Sequence, residues 1–233
     1  MTHALLEAQV GDASVWSSGR AHGNVGDRVG DDPDVVARHR RALAAEAGLP
    51  DPAEWVWIRQ VHGTGVYVAD GPTPATGPPE ADAAVTAVRG LPLAVVTADC
   101  APLVLANRGA VAVVHAGHRG LAAGVVEAAI ARLRAAGHGA VGAYLAPCIR
   151  PSAYEFGADD LRALVDRFGP GVAVQTRAGK PAFDVPGAIR VVLAREGITD
   201  FEDSGLCTAD TPAYFSYRRD GATGRQATVA VLQ

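Results

Sequence analysis

Three short stretches of the chain carry side chains able to hold a metal or attack a substrate. Gln60-Val61-His62-Gly63 closes one apolar segment and Thr97-Ala98-Asp99-Cys100 leaves another. His115-Ala116-Gly117-His118-Arg119-Gly120 turns from a third apolar segment into a helical pattern. Each puts a histidine or a cysteine where an apolar strand gives way to a turn, and strand ends are where layered folds display reactive groups. The glycines let the backbone bend sharply and let a substrate come close. Two histidines and one cysteine suit zinc, whose catalytic sites use three protein ligands and keep a fourth position open. The same residue types suit a Cys–His nucleophile pair with an additional histidine. The plainer readings are a buried small hydrophobe for Cys100, a strand-end turn residue for His62 and a solvent-facing helix start for His118.

These stretches must be positioned by the elements around them. Asp32-Pro33 opens a helix with Val35, Val36, His39, Leu43 and Ala47 at helical spacing, and Gly48 stops it. Trp55–His62 and Gly65–Ala69 read as two strands around a tight turn at Gly63-Thr64. Asp70–Glu80, rich in Pro and Gly, reads as a loop that could act as a lid. Ala83–Val88, Leu93–Thr97 and Ala110–His115 are Val-rich and read as buried strands. Arg119–Ala136 reads as one helix, with Leu121, Val125, Ala129 and Leu133 on one stripe. Val141–Leu145 and Ala227–Leu232 follow as strands, with helices at Asp159–Phe168 and Val185–Arg195. Strands and helices interleave without a strict βαβ rhythm, so the expectation is an α+β layered fold with mixed sheets.

Composition narrows the classes. Of 233 residues, 48% are hydrophobic and 20% charged, the balance of a globular chain, which argues against disorder. The net charge of −4 advertises neither nucleic acid nor an anionic membrane as partner. Three cysteines, Cys100, Cys148 and Cys207, form no disulfide framework and fit a reducing compartment. Met1–Trp16 lacks the basic and apolar regions of a signal peptide, and no apolar run approaches the ~20 residues of a membrane span. A cytoplasmic protein, a monomer, is expected. Gly137, Gly139 and Gly142 match a dinucleotide fingerprint, but the order is helix before and strand after, the reverse of what that motif needs.

Taken in order, QVHG, TADC-x-P, HAG-x-RG, APCI with a nearby YEFG, and YFSYRRDGATGR resemble the laccase-domain family, as does the early GNVGDRVGDDP. That family is also called multicopper polyphenol oxidase, purine nucleoside phosphorylase or peptidoglycan editing factor. The resemblance runs from about Arg20 to the C-terminus. It implies a single domain, residues 1–233, folded as a layered α/β/β/α sandwich like that of the toxin-deamidase cysteine hydrolases. It implies one zinc site at His62, Cys100 and His115. His118 stands where the family usually has tryptophan and is a candidate extra ligand or base. Ala146 stands where the family usually has glycine, ahead of Pro147 and Cys148, the last read as structural or pocket-lining.

The activity implied is zinc-dependent phosphorolysis of adenosine, inosine, guanosine or methylthioadenosine, together with adenosine deamination. Cys100, His62, His115 and Asp99 are then the catalytic candidates, Asp99 as general base or as the carboxylate that orients a histidine; as a turn residue it needs no such role. Phosphate calls for arginine forks, and Arg219 and Arg225 are favoured, with Arg119, Arg20 and Asn24 as further candidates. A basic surface turn is the bland alternative. The rival activities are a cysteine-type or zinc hydrolase that edits peptidoglycan precursors by removing L-serine from a UDP-muramoyl precursor, a copper polyphenol oxidase, and a binding module without turnover. Copper is disfavoured against zinc because only seven histidines are present, and His3, His22, His39 and His138 fall in unrelated contexts.

Overall fold

Apolar side chains alternate along the central strands, and in the computed structural model, which describes residues 5–233, the two sets fill different cores. His3 and the first four residues of the Met1–Trp16 segment lie outside the described residues. In chain order the elements are β1 (Leu6–Val10), β2 (Ala13–Ser17), α1 (Pro33–Ala47), β3 (Val56–Trp57), β4 (Val66–Ala69), β5 (Ala83–Thr86) and β6 (Leu93–Thr97). Then come β7 (Ala101–Arg108), β8 (Ala110–Ala116), α2 (His118–Ala123), α3 (Val125–Ala136), β9 (His138–Leu145) and α4 (Ala158–Phe168). The chain closes with β10 (Ala173–Gln175), β11 (Pro181–Phe183), α5 (Val185–Arg195), β12 (Asp200–Asp203), α6 (Tyr217–Asp220) and β13 (Gln226–Leu232).

Two mixed sheets stack face to face. One has the order β1-β2-β13-β6-β3 and the other β12-β9-β7-β8-β5-β4. On β7, Val104 and Ala106 face the inner core between the sheets, while Leu103 and Leu105 face the outer core under α3, α4 and α5. On β13, Ala230 and Leu232 point inward, while Ala227 and Val229 pack with Trp55, Trp57 and Leu43 of α1 in a third core. The layers are therefore α1, five-stranded sheet, six-stranded sheet, and the α3–α5 helices: the expected α/β/β/α order. With both faces covered, the central strands read as continuous apolar runs.

Local chemistry accounts for most boundaries. The Asp32 carboxylate caps α1 by accepting from the Asp34 amide, Pro33 takes the first helical position, and Gly48 closes the helix in the left-handed region; such a cap contributes about 1 kcal/mol. Asp184 caps α5 in the same way through the Gly187 amide.

Three expectations need correcting. Trp55–His62 and Gly65–Ala69 are not a hairpin, because β3 joins β6 in one sheet and β4 joins β5 in the other. The single helix Arg119–Ala136 is two helices, broken at Gly124, whose φ of 102° is open to glycine. The Asp70–Glu80 segment is pinned rather than lid-like: the Thr73 amide donates to Trp55 and its hydroxyl accepts from the Trp57 amide.

Candidate metal centre

Strand register explains how three distant stretches meet. β7 and β8 pair antiparallel with Pro102 opposite His115, so Cys100, just before β7, lies beside the end of β8. β5 pairs with β8 from the other side, with Ala83 opposite Val114. That puts Asp82 next to His115, whose amide donates to the Asp82 carbonyl at 2.7 Å.

Asp82 is fully buried, and a buried carboxylate must be paired. Its Oδ1 accepts from His115 Nδ1 at 2.8 Å and from the His62 amide at 2.9 Å. Its Oδ2 accepts from the Gly63 amide at 2.7 Å, and the Val61 amide bonds to both oxygens at 3.2 Å. One carboxylate thus winds the QVHG loop around itself and anchors the ring of His115. Burial alone would raise its pKa; the bonds from His115 and from the loop amides more than offset this and hold it below the usual carboxylate range. His62 takes a left-handed backbone, φ 62°, inside that winding. The sequence reading missed Asp82. The legible signal is an aspartate embedded in the apolar run Ala81-Asp82-Ala83-Ala84.

Asp99 also sits at positive φ, 99°, a strain that surrounding contacts must hold in place. Its Oδ1 accepts from the Thr208 hydroxyl at 2.6 Å and its Oδ2 from the Arg218 amide at 2.6 Å, while its carbonyl accepts from the Ile149 amide. The carboxylate that orients a histidine is Asp82, not Asp99, because the oxygens of Asp99 are turned to Thr208 and Arg218.

Gly117 and Gly120 explain the glycines of HAG-x-RG. A Cβ on Gly117 would lie 2.7 Å from His62 Cδ2 and 3.2 Å from Cys100 Sγ, and one on Gly120 would lie 2.8 Å from the Gly63 carbonyl oxygen. The two stretches come this close only because both positions lack a side chain.

The result is a cluster in which ligand atoms of His62, Cys100 and His115 all lie within 4.8 Å of one another. Cys100 Sγ is 3.8 Å from His62 Nε2, and the two imidazoles meet edge to face at 4.7 Å. Burial would push the Cys100 thiol up, but the charge and hydrogen bond of His115, aided by His62, bring it down to about 6. Burial would lower His115, but the Cys100 charge and the Asp82 bond raise it to about 9. These residues fit a metal. Bonds of roughly 2.3 Å to sulfur and 2.0–2.1 Å to nitrogen at a tetrahedral angle need donors roughly 3.5 Å apart. The Asp82–His115 bond also fixes Nδ1 as the protonated nitrogen and leaves Nε2 for the ion, the usual support of a metal-binding histidine.

The cluster opens on a cavity of about 520 Å³, within the range of small-molecule sites. Asp99, His118, Tyr154, Trp57, Arg40, Arg218 and Arg225 also line it. His118 stands apart from the ligand cluster: Tyr154 Oη is 3.3 Å from its Nδ1, and its ring meets Phe156 edge to face. Burial, then the charges of Arg119 and His62, lower its pKa. Of the phosphate candidates, Arg225 lines the cavity and the others do not. Arg219 donates to the carbonyls of Thr208, Ala209, Thr211 and Tyr214 and to Asp220, so its guanidinium holds the C-terminal turn together. Arg20 is paired with the same Asp220 and stacks on Phe215. Asn24 is buried and bonds to Gly26, Asp31 and the Arg225 amide, a loop brace. Arg119 is exposed on α2. Cys148 and Cys207 are buried neighbours behind Asp99, and Cys148 is pushed up to about 12 by burial.

A family model described as multi-copper polyphenol oxidoreductase laccase matches residues 10–233. A purine nucleoside phosphorylase of Streptomyces griseus is 46% identical over 209 residues, covering 88% of this chain and 84% of its own. One of Xylella fastidiosa is 41% identical over 218 residues, covering 89% of this chain and 83% of its own. Among solved structures, YlmD from Geobacillus stearothermophilus superposes with a TM-score of 0.87 at 28% identity, over 100% of this chain and 97% of its own. A Neisseria meningitidis protein gives 0.83 at 32% identity, over 99% and 100%.

Proposed function

This chain belongs to the multi-copper polyphenol oxidoreductase laccase family, and within it we propose a zinc-dependent purine nucleoside phosphorylase that also deaminates adenosine. The observation that carries this reading is the His62–Cys100–His115 group set at the wall of a cavity that is also lined by aromatic rings and arginine side chains. Relatives called purine nucleoside phosphorylase support it. Zinc suits a three-ligand group with one side open to substrate, and when bound it would supply Lewis acidity and a water of pKa about 7. Copper oxidation by an array of histidines finds less support among the described residues. His22 bonds to Gly19 and faces Glu46, His39 bonds to the Asn24 carbonyl, and His138 is exposed on β9.

In phosphorolysis a phosphate oxygen attacks C1′, the bond from C1′ to the purine nitrogen breaks, and that nitrogen takes up the proton that the phosphate gives up. Arg225 holds the phosphate, and Tyr154, Trp57 and His118 bind the purine and ribose and exclude water. In deamination water adds to C6 and ammonia leaves. Asp99 lines the cavity, and each of its oxygens keeps a lone pair beside the bond to Thr208 or to the Arg218 amide, with which it accepts the proton of that water and returns it to the leaving amine. Asp82 keeps His115 in the tautomer and orientation that either reaction needs. No helix among the described residues is long and apolar enough to cross a membrane, and we read the protein as a cytoplasmic monomer.

One arrangement favours a second reading. Cys100, His115 and Asp82 follow one another as nucleophile, base and orienting carboxylate do in cysteine hydrolases. A hydrolase of this kind could edit a UDP-muramoyl precursor by removing L-serine. Product analysis separates the two. Purified protein with adenosine is expected to release adenine and ribose 1-phosphate only when phosphate is present, and inosine without it, both lost on chelation. Turnover that survives metal removal, is blocked by thiol alkylation and ignores phosphate would instead establish the hydrolase.

A further inference from the structure

Two of the three cysteines take no part in the metal cluster, yet the fold sets them side by side. β9 and β12 pair in parallel as far as Leu145 and Asp203. The two chains then pair once more, in an isolated parallel bridge between Cys148 and Cys207, three residues on from Leu145 and four on from Asp203. The Cys148 carbonyl accepts from the Thr208 amide at 3.1 Å, and the Cys148 amide donates to the Leu206 carbonyl at 3.4 Å. Those two bonds put the cysteines directly opposite one another. Neighbouring strands lie about 4.7–4.9 Å apart, and opposite residues send their side chains to the same face. A disulfide needs Cα atoms about 4.4–6.8 Å apart and side chains that do not diverge. A bridged pair falls inside that window.

The two thiols differ in access. Cys148 is fully buried in the outer core, and burial pushes its thiol up to about 12. Cys207 is 8% exposed, so a reagent arrives from its side. Its thiol stands beside Asp210, whose carboxylate is lowered by hydrogen bonds from exposed Arg177, then from Ser152 and from Cys207 itself, against a little burial. A buried thiol facing a second thiol that borders a polar surface suits a redox pair better than two packing residues.

The next residue after each cysteine braces the site. The Ile149 amide donates to the Asp99 carbonyl at 2.8 Å, and the Thr208 hydroxyl donates to Asp99 Oδ1 at 2.6 Å. β12, which leads into Thr208, is an edge strand with β9 as its one neighbour. A covalent link there would also close the long loop that carries α4, β10, β11, α5 and β12, and closing a long loop constrains the unfolded chain most.

We propose that Cys148 and Cys207 are a reversible thiol–disulfide modification site, closed by a low-molecular-weight disulfide, that staples β12 to β9 behind Asp99. Cys207 Sγ, as thiolate, attacks one sulfur of the oxidant and expels a first thiolate, leaving a mixed disulfide. Cys148 Sγ, as thiolate, then attacks Cys207 Sγ and expels the second. One S–S bond forms in the protein and the oxidant's S–S bond breaks. Two electrons pass to the oxidant, and the two protons of the protein thiols end on its two thiolates. Reducing conditions keep the pair as a dithiol, and an oxidising shift closes it.

The test exposes the purified protein to oxidised glutathione, blocks the remaining thiols with N-ethylmaleimide under unfolding conditions, and maps the digest by mass spectrometry. Wild type, Cys148→Ala, Cys207→Ala and Cys207→Ser are compared. A Cys148–Cys207 linked peptide is expected in the wild type alone, with a thermal midpoint raised by roughly 5 °C or more, both reversed by a phosphine reductant. Cys100→Ser is expected to close the same link, since Cys100 is not one of the pair. The linkage is read directly in the wild type, so it stands or falls even where an alanine variant folds poorly. Two unlinked thiols after oxidation, glutathione retained on Cys207 without a link, a link made through Cys100, or a linked protein that melts below the dithiol form would each overturn the proposal.

Discussion

Asp82 Oδ1 accepts Nδ1–H of His115 at 2.8 Å while the same carboxylate gathers the amides of Val61, His62 and Gly63. One buried residue therefore sets two of the three candidate metal ligands. Asp82→Asn keeps the shape but loses the charge and turns a donor toward donors. Metal affinity is expected to fall 10- to 100-fold, and the metal-free protein to lose about 1–3 kcal/mol. Competition with a chromophoric chelator and urea unfolding measure the two effects. Unchanged affinity would leave Asp82 as a fold residue only.

Gly117→Ala separates site from fold. Gly117 has φ −68°, so alanine brings no backbone strain there, but its Cβ would press on His62 Cδ2 and Cys100 Sγ. A metal affinity at least tenfold lower, with a metal-free Tm shifted little, is expected. A variant that binds metal as the wild type does would show that the ligands are not packed as described.

Gly124→Ala tests the break between α2 and α3. With φ at 102°, a side chain is strained wherever it points. The variant is expected to be less stable by about 1 kcal/mol or more in chemical denaturation, with metal content unchanged. Stabilisation would mean that the two helices can run as one.

The ion pair of the metal-free cluster gives a pH dependence with a defined sign. Cys100 titrates at about 6 against an ordinary 9.0, so its contribution is complete above the unfolded value and is lost as pH falls through about 6. His115 titrates at about 9 against an ordinary 6.5, so its contribution is complete at low pH and is lost as pH rises through about 9. Across about pH 6.5 to 9 the two losses run in opposite directions and offset one another, so the stability of the chelator-treated protein is expected to vary little there, and Cys100→Ala, which removes the contribution that grows with pH, should leave stability falling as pH rises through that range. Iodoacetamide labelling of Cys100 should rise with a midpoint near pH 6, with Cys148 unlabelled. A midpoint near 9 for Cys100 would remove the pair.

Much of this was legible in the residues, and the failures have physical causes. β6 and α5 match their expected spans, and α1 its expected start and stop, because capping aspartates, prolines and Val-rich runs are local signals. β7 carries no strand signal of its own, because Pro102 argues against a central strand, whereas the structure uses the Pro102 carbonyl, which accepts from the Ala146 amide. Which arginines face the cavity was not legible. Arg219 and Arg225 share one basic turn, but the carbonyls that capture Arg219 and leave Arg225 open are brought there by the path of residues 208–214. Arg40 is hidden in a helix whose sequence reads as an ordinary charged face.

The most direct test is zinc content per chain in the purified wild type and in His62→Ala, Cys100→Ala and His115→Ala, with adenosine turnover measured on the same samples. Close to one zinc per wild-type chain is expected, with loss of both metal and phosphate-dependent adenine formation in each variant. Full metal occupancy and unchanged product formation in all three would contradict the site.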